Sequence, residues 1–306
     1  RLTELGGWDD ALLASMLTAA RDDDAALFAT IGYSDRDLTK LISQQKDISE
    51  DESATPAPGS SRVAAGDLWI LGRHRLLCGD CEDPAMVARL LDGAVPRLMI
   101  TDPPYGVNYA PAWRKGLSPG CRSREIVGDD RASWARAWEL FPGAVVYVWH
   151  SSLHVTTVAH DLLAAGFVQR SLIVWRKSRA AISRGAYNWQ HELCWYGVRD
   201  GANAAWIGSL SETTVWDIAT RNDADGQGAV TLHATQKPVE CMARPLRNHD
   251  GDVYDPFVGS GTSIIAAEQI GRACFAMDID PVCCDMAIAR WESVTGEKAT
   301  RQSVAA

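Results

Sequence analysis

An acid, two prolines and a tyrosine in succession, Asp102-Pro103-Pro104-Tyr105, close the apolar run Met99-Ile100-Thr101. Proline locks φ and carries no N–H, so such a loop is stiff and leaves carbonyl oxygens available as acceptors. Asp102 adds a carboxylate and Tyr105 a flat face. Together they suit the gripping of a planar base: the ring stacks, while a carboxylate and a main-chain carbonyl take both hydrogens of the base's amino group. An aromatic amine is a poor nucleophile because its lone pair is delocalised into the ring. Acceptors on both N–H bonds favour a pyramidal nitrogen that can attack a methyl group in line. The same run also reads as a strand ending in a proline-rich turn, and the motif alone does not choose between the two.

A second strand-end pattern runs from Val253 through Asp255-Pro256-Phe257-Val258-Gly259-Ser260-Gly261-Thr262. Gly259 and Gly261 permit a tight turn and close approach of a ligand to the backbone at the start of a helix, the device by which α/β folds hold an adenosine-containing cofactor. Asp278 ends the next apolar run, close to the offset of about 20 residues at which an acid meets ribose hydroxyls. A nicotinamide-binding fingerprint would want Gly or Ala where Ile264 stands, so a dehydrogenase fits less well.

These loops need strands to carry them. Short apolar runs at 68–71, 76–78, 97–101, 145–149, 172–175, 192–196, 253–255 and 274–278 alternate with helical patterns at 84–91, 134–140, 155–165, 239–246, 261–270 and 282–292. That alternation predicts an α/β domain built on a mostly parallel sheet, with ligands beyond the carboxyl ends of its strands. Residues 1–45 carry two short helical patterns and form a small N-terminal helical segment. Residues 46–62 turn acidic and then rich in Ser, Ala, Pro and Gly, as a flexible linker does. The catalytic domain is expected over 63–298 and a tail over 299–306.

The net charge of −9 argues against coating nucleic acid non-specifically, which depends on neutralising many phosphates. Local basic stretches remain, and Trp113, Arg114, Lys115, Lys177, Arg179, Arg184 and Trp189 are the candidates for touching DNA. For each cluster, a merely solvated face fits the same residues. Eight scattered cysteines with one Cys-x-x-Cys, Cys78 to Cys81, indicate neither a disulfide framework nor a zinc site, and His150, His154 and His160 have no ligand partner, so no metal is expected. No apolar run reaches membrane-spanning length and no basic-then-apolar segment stands at the start of the sequence, so a cytoplasmic location is expected.

With these motifs in this order, residues 63–296 resemble the beta arrangement of amino-methylating DNA methyltransferases, in which the catalytic motif precedes the cofactor motif. Asp102, Pro103, Pro104 and Tyr105 are similar to that family's catalytic element. Asp255, Phe257, Gly259, Ser260, Gly261 and Thr262 match its cofactor loop, and Asp278 its ribose-binding acid. His233-Ala234-Thr235-Gln236-Lys237-Pro238 resembles the His-Pro-Thr-Gln-Lys-Pro element, whose Thr235 and Lys237 would contact the methionine end of the cofactor; Ala234 replaces the usual proline. Leu77-Cys78-Gly79-Asp80 resembles the element whose acid, Asp80, lies near the cofactor, and Val174 to Lys177 and Gln190 to Glu192 also have counterparts.

The resemblance implies a Rossmann-like methyltransferase fold, S-adenosylmethionine as cofactor, double-stranded DNA as partner, base flipping, and direct transfer without a covalent intermediate. None of the 13 prolines precedes Cys, unlike the Pro-Cys motif of cytosine carbon-5 enzymes. Family members acting on the cytosine amino group more often carry Ser at the position of Asp102, so adenine N6 is expected over cytosine N4. An RNA methyltransferase would reuse the same cofactor loop, and an idle DNA-binding module would keep the fold without the turnover. By the same resemblance the target-reading segment spans about 199–232, shared with the loop 107–130, and the enzyme dimerises. The first 45 residues resemble the tail of a ParB-like domain, as in phage and mobile-element proteins; a helical extension packed on the catalytic domain would show the same pattern.

Overall fold

The computed structural model describes residues 10–23, 28, 30, 38, 61–107, 127–181, 186–219 and 236–302. The chain divides into two compact units, residues 1–49 and 50–306. The smaller contains helix α1 (Asp10–Asp23), and in it Leu17, Phe28 and Leu38 form a small buried cluster. The second N-terminal helical pattern and most of the expected linker lie outside the described residues.

The larger unit is a ten-stranded sheet in the order β10-β1-β2-β9-β8-β3-β4-β6-β5-β7. In chain order the strands are β1 (Leu68–Leu71), β2 (His74–Cys78), β3 (Leu98–Thr101), β4 (Val145–His150), β5 (Phe167–Ala181), β6 (Trp189–Arg199), β7 (Val215–Asp217), β8 (Val253–Asp255), β9 (Cys274–Asp278) and β10 (Thr300–Gln302). Strands β2, β9, β8, β3 and β4 run parallel, while β10-β1-β2 and β4-β6-β5 pair antiparallel. The expected mostly parallel α/β sheet is thus present, with antiparallel flanks. Its centre is covered on both faces, so β3, β4 and β8 are buried along their whole length and read as unbroken apolar runs rather than alternating ones.

Helices α2 (Pro84–Leu91), α3 (Ala135–Leu140), α4 (Val155–Ala164), α5 (Val239–Asn248), α6 (Thr262–Ile270) and α7 (Pro281–Thr295) link the strands. Two of them start with the same device. Asp83 and Asp280 each accept a hydrogen bond from a backbone N–H of the first turn, and a proline follows at the first helical position. Leu90, Trp138, Phe141, Val148, Leu162, Phe167 and Tyr254 belong to the main core cluster between helices and sheet.

Four elements depart from expectation. β5 and β6 are far longer than the runs 172–175 and 192–196, because their outer halves pair with each other beyond the end of β4 and lose the apolar pattern that marks a buried strand. β7 adds an edge next to β5. Thr300–Gln302, expected as tail, pairs with β1; its residues are all exposed, so no hydrophobic signal announces it.

Candidate active site

β3 and β8 lie side by side in the middle of the sheet, and their carboxyl ends bring the acidic loop against the glycine loop. From β8 the chain passes through α6 to β9 on one side, and from β3 through α3 to β4 on the other, so the crevice between them is the switch point where such sheets bind ligands. Asp255 ties the two loops together. Its carboxylate accepts from Thr101 Oγ1 at 2.6 Å, Ser263 Oγ at 2.5 Å and Phe257 N at 3.0 Å. Burial pushes this carboxyl up to about 6 against the pull of those three donors. With 1% exposure, Asp255 faces inward and fixes the start of the Asp102 loop relative to the glycine turn.

Gly259 and Gly261 serve different ends. Gly259 has φ +52°, and a Cβ there would meet no atom within 4 Å, so the turn opens onto space. Gly261 has φ +87°, and a Cβ there would stand 2.9 Å from Ala287 Cβ; it is needed for packing against α7. The N–H of Gly259 donates to Asp278 Oδ2 at 2.9 Å, and Asp280 N donates to Oδ1 at 2.9 Å. Burial pushes Asp278 up to about 6 despite these donors. A carboxylate held beside an open glycine turn fits a ligand with neighbouring hydroxyls, as ribose has. Asp80 follows β2, the parallel neighbour of β9, where Gly79 N donates to Asp278 O at 2.9 Å; it is exposed and caps Glu82 N at 2.9 Å. Arg290 of α7, buried, holds the loop by donating to Ser260 O at 3.3 Å and Thr262 Oγ1 at 3.0 Å. The Phe257 ring packs edge-on against Trp134, centroids 4.7 Å apart.

The side chains around Asp102 form a closed network of charge. Lys237 Nζ lies 2.7 Å from both Asp102 oxygens, 2.8 Å from Tyr105 OH and 2.8 Å from Glu192 Oε2. Tyr105 OH donates to Asp102 Oδ1 at 2.8 Å, with Glu192 Oε2 at 3.1 Å, and Lys177 Nζ pairs with Glu192 Oε1. The two carboxylates are tuned apart. Burial pushes Asp102 up, Lys237 pulls it back and the charge of Glu192 adds to the rise. Burial also acts upward on Glu192, but Lys237 and Lys177 prevail and hold it at about 2. Lys237 is itself raised, its two carboxylates overcoming the cost of burial.

Around this network the backbone is braced. Pro104 O accepts from Trp134 Nε1 at 3.1 Å, and Asp129 Oδ1 accepts from Gly106 N at 3.0 Å and Val107 N at 3.3 Å.

Two of the candidate residues also make contacts that their spacing in the sequence did not indicate. Lys237, expected at the cofactor, has its ammonium on the Asp102 carboxylate. Lys177, expected at DNA, is held by Glu192 and lies 5.0 Å from the centre of the Trp175 ring. Arg179 is exposed and Trp189 is 44% exposed, both on the outer β5–β6 ribbon. Trp113, Arg114, Lys115, Arg184 and Thr235 lie outside the described residues, as do 220–232 of the expected target-reading segment. Glu192, Asp129 and Arg290 had no assigned role from sequence. Glu192 stands in a Gln-His-Glu run with a family counterpart, but nothing local points to a partner 90 positions away; Arg290 sits in an ordinary helical pattern. Among the described residues no cluster of His, Cys, Asp or Glu could hold a metal, and no helix is long and apolar enough to cross a membrane.

A family model described as DNA methylase matches residues 97–289, which include both loops. The chain is 26% identical over 216 residues to the Escherichia coli (strain K12) protein YubD, covering 67% of this chain and 84% of that one. The crystal structure of an M1.HpyAVI–SAM complex superposes with a TM-score of 0.50 at 20% identity, covering 69% of this chain and 96% of that one. The PvuII DNA methyltransferase, cytosine-N4-specific, superposes with a TM-score of 0.51 at 13% identity, covering 74% and 91%. At these identities the two structures establish a shared fold.

Proposed function

Because this chain belongs to the DNA methylase family, we propose that it transfers a methyl group from S-adenosylmethionine to the exocyclic amino group of adenine in duplex DNA. The observation that carries this reading is the meeting, at neighbouring strand ends, of the Asp102 carboxylate and the open Gly259 turn with Asp278 beside it. S-adenosylmethionine, the ligand in the M1.HpyAVI complex, supplies a methyl group activated on a sulfonium sulfur. Asp278 and Asp80 would take its ribose and nearby polar groups, and the Gly259 turn would admit it close to the backbone.

The base comes to Asp102 by rotating out of the helix, at a cost of a few kcal/mol that the pocket offsets. Asp102 accepts one amino hydrogen. Pro104's carbonyl is engaged by Trp134, which favours Pro103's carbonyl for the other. The site would then accelerate transfer mainly by holding the base nitrogen near the methyl carbon, about 3–3.5 Å away and in line. Tyr105, held by its hydroxyl, offers its ring for stacking. An acid at position 102, where relatives acting on cytosine more often carry Ser, supports adenine. Arg179 and Trp189 are suited to the duplex on the outer ribbon.

The test is mass spectrometry of nucleosides from genomic DNA of a methylation-free bacterial host expressing the protein, beside a host expressing Asp102→Ala. N6-methyladenine present with the wild type and absent with the variant is expected. N4-methylcytosine would transfer the mechanism to the other base, and no new base with either protein would overturn DNA methylation as the activity.

A further inference from the structure

We infer that Glu192 is a positioning residue for this reaction: it retains the Lys237 ammonium when Asp102 gives up that ammonium for the amino group of the base. The inference rests on the methyl-transfer reading and assigns a task to a residue that the reading leaves idle. An ammonium has three N–H bonds, yet four oxygens stand 2.7–2.8 Å from Lys237 Nζ. Asp102 holds two of those contacts. When an amino group claims an Asp102 oxygen, Lys237 must yield there, and with its side chain only 5% exposed it has little access to water in exchange. Among the described residues, Glu192 Oε2 is the anionic oxygen outside Asp102 that remains to it.

Glu192 is built to stay. Its other oxygen is taken by Lys177, and both residues stand on the β5–β6 ribbon just past the last β4 pair, where Glu192 is opposite Trp175. Two strands and two ammonium groups therefore locate this carboxylate independently of the catalytic loop. The charge balance gives the same result. Asp102, Glu192, Lys237 and Lys177 sum to zero before reaction. In the transfer the amino nitrogen gives its lone pair to the methyl carbon, the carbon–sulfur bond breaks with its pair remaining on sulfur, and the proton displaced from nitrogen passes to Asp102. Asp102 is then neutral, and Glu192 is the one carboxylate of the network still holding Lys237.

Among the described residues, the groups facing Asp102 are Lys237 from the segment before α5, Tyr105 from its own loop, and Glu192 and the buried Cys194 thiol from β6; Asp255 of β8 stands behind. Removing the Glu192 charge lowers the Asp102 pKa and tightens Lys237 on it. Removing Lys177 loosens Lys237 from Asp102 in favour of Glu192 and raises the Asp102 pKa.

The experiment measures single-turnover methyl transfer to genomic DNA from a methylation-free host, between pH 5 and 9, for wild type, Glu192→Gln, Glu192→Asp and Lys177→Met. S-adenosylmethionine affinity is measured by calorimetry on each. For Glu192→Gln a loss of about a hundredfold at neutral pH is expected, with cofactor affinity within threefold of wild type as a rough bound. Its acid limb should move to lower pH, that of Lys177→Met to higher pH, and Glu192→Asp should recover part of the rate. A structural role would move both limbs the same way or neither, and that result, or an unchanged rate in Glu192→Gln, overturns the inference. If Glu192→Gln does not fold, the limb of Lys177→Met decides alone. A wild-type protein without transfer would instead count against the underlying methyl-transfer reading.

Discussion

Replacing Lys237 with methionine keeps the length of the side chain and removes the ammonium that stands between two carboxylates. Opposite unit charges at the 2.7 Å of the Lys237–Asp102 pair attract by about 6 kcal/mol at an effective dielectric near 20. The pair with Glu192, at 2.8 Å, is of similar strength. Desolvation of the three ions offsets most of that gross attraction. What the variant loses is about 3–5 kcal/mol, the cost of leaving buried charge without its partner.

The pH dependence of that loss follows from the carboxyls. Without the ammonium, folded Asp102 and Glu192 have pKa values raised above those of the unfolded chain. The folded variant then binds more protons than its unfolded state through the interval between the two values, so its penalty is full at alkaline pH and shrinks as pH falls. Wild-type Glu192, held at about 2, contributes the opposite way: its stabilisation is present above the unfolded value of 4.5 and is lost as pH falls toward 2. The assay is urea unfolding followed by tryptophan fluorescence at pH 8 and pH 5. A loss of about 1 kcal/mol or less, typical of an exposed pair, or an equal loss at both pH values, refutes the network as described.

Asp278→Ala should weaken S-adenosylmethionine binding by about 10- to 100-fold, the worth of charged hydrogen bonds to ribose; unchanged affinity by calorimetry would rule out that role. His249 is buried between Tyr147 OH at 2.8 Å and Ala204 O at 2.7 Å, and burial holds it at about 4 instead of 6.5. Its unfolded form takes a proton that the folded form refuses, so stability is full above pH 6.5 and falls by about 3 kcal/mol as pH drops to 4. His74 and His150 are lowered too and add to the fall. In His249→Gln the fall from pH 6.5 to 4 should be shallower; an identical slope in both proteins would mean that His249 does not titrate in this way.

The fold was legible where a single local pattern dominates. β1, β8 and β9 and helix α2 fall within the boundaries read from sequence, because a fully buried strand shows as an apolar run and α2 opens with Asp83 and Pro84. The outer halves of β5 and β6, and β10, were illegible for the converse reason. Their order comes from pairing with a neighbouring strand, which needs backbone groups and leaves the side chains polar.

The same division runs through the candidate site. The sequence by itself determined that an acid, two prolines and a tyrosine end one strand, that a glycine turn ends another and that an acid ends a third, since each lies within a few residues of chain. Only the tertiary structure decided which groups those side chains meet. It turned Asp255 inward onto Thr101 and Ser263, and it brought Lys237 and Glu192, 135 and 90 positions along the chain, to Asp102. Charges of opposite sign attract across whatever strands the sheet sets side by side. The pairing is therefore a property of strand order, β8-β3-β4-β6-β5, which no local spacing encodes.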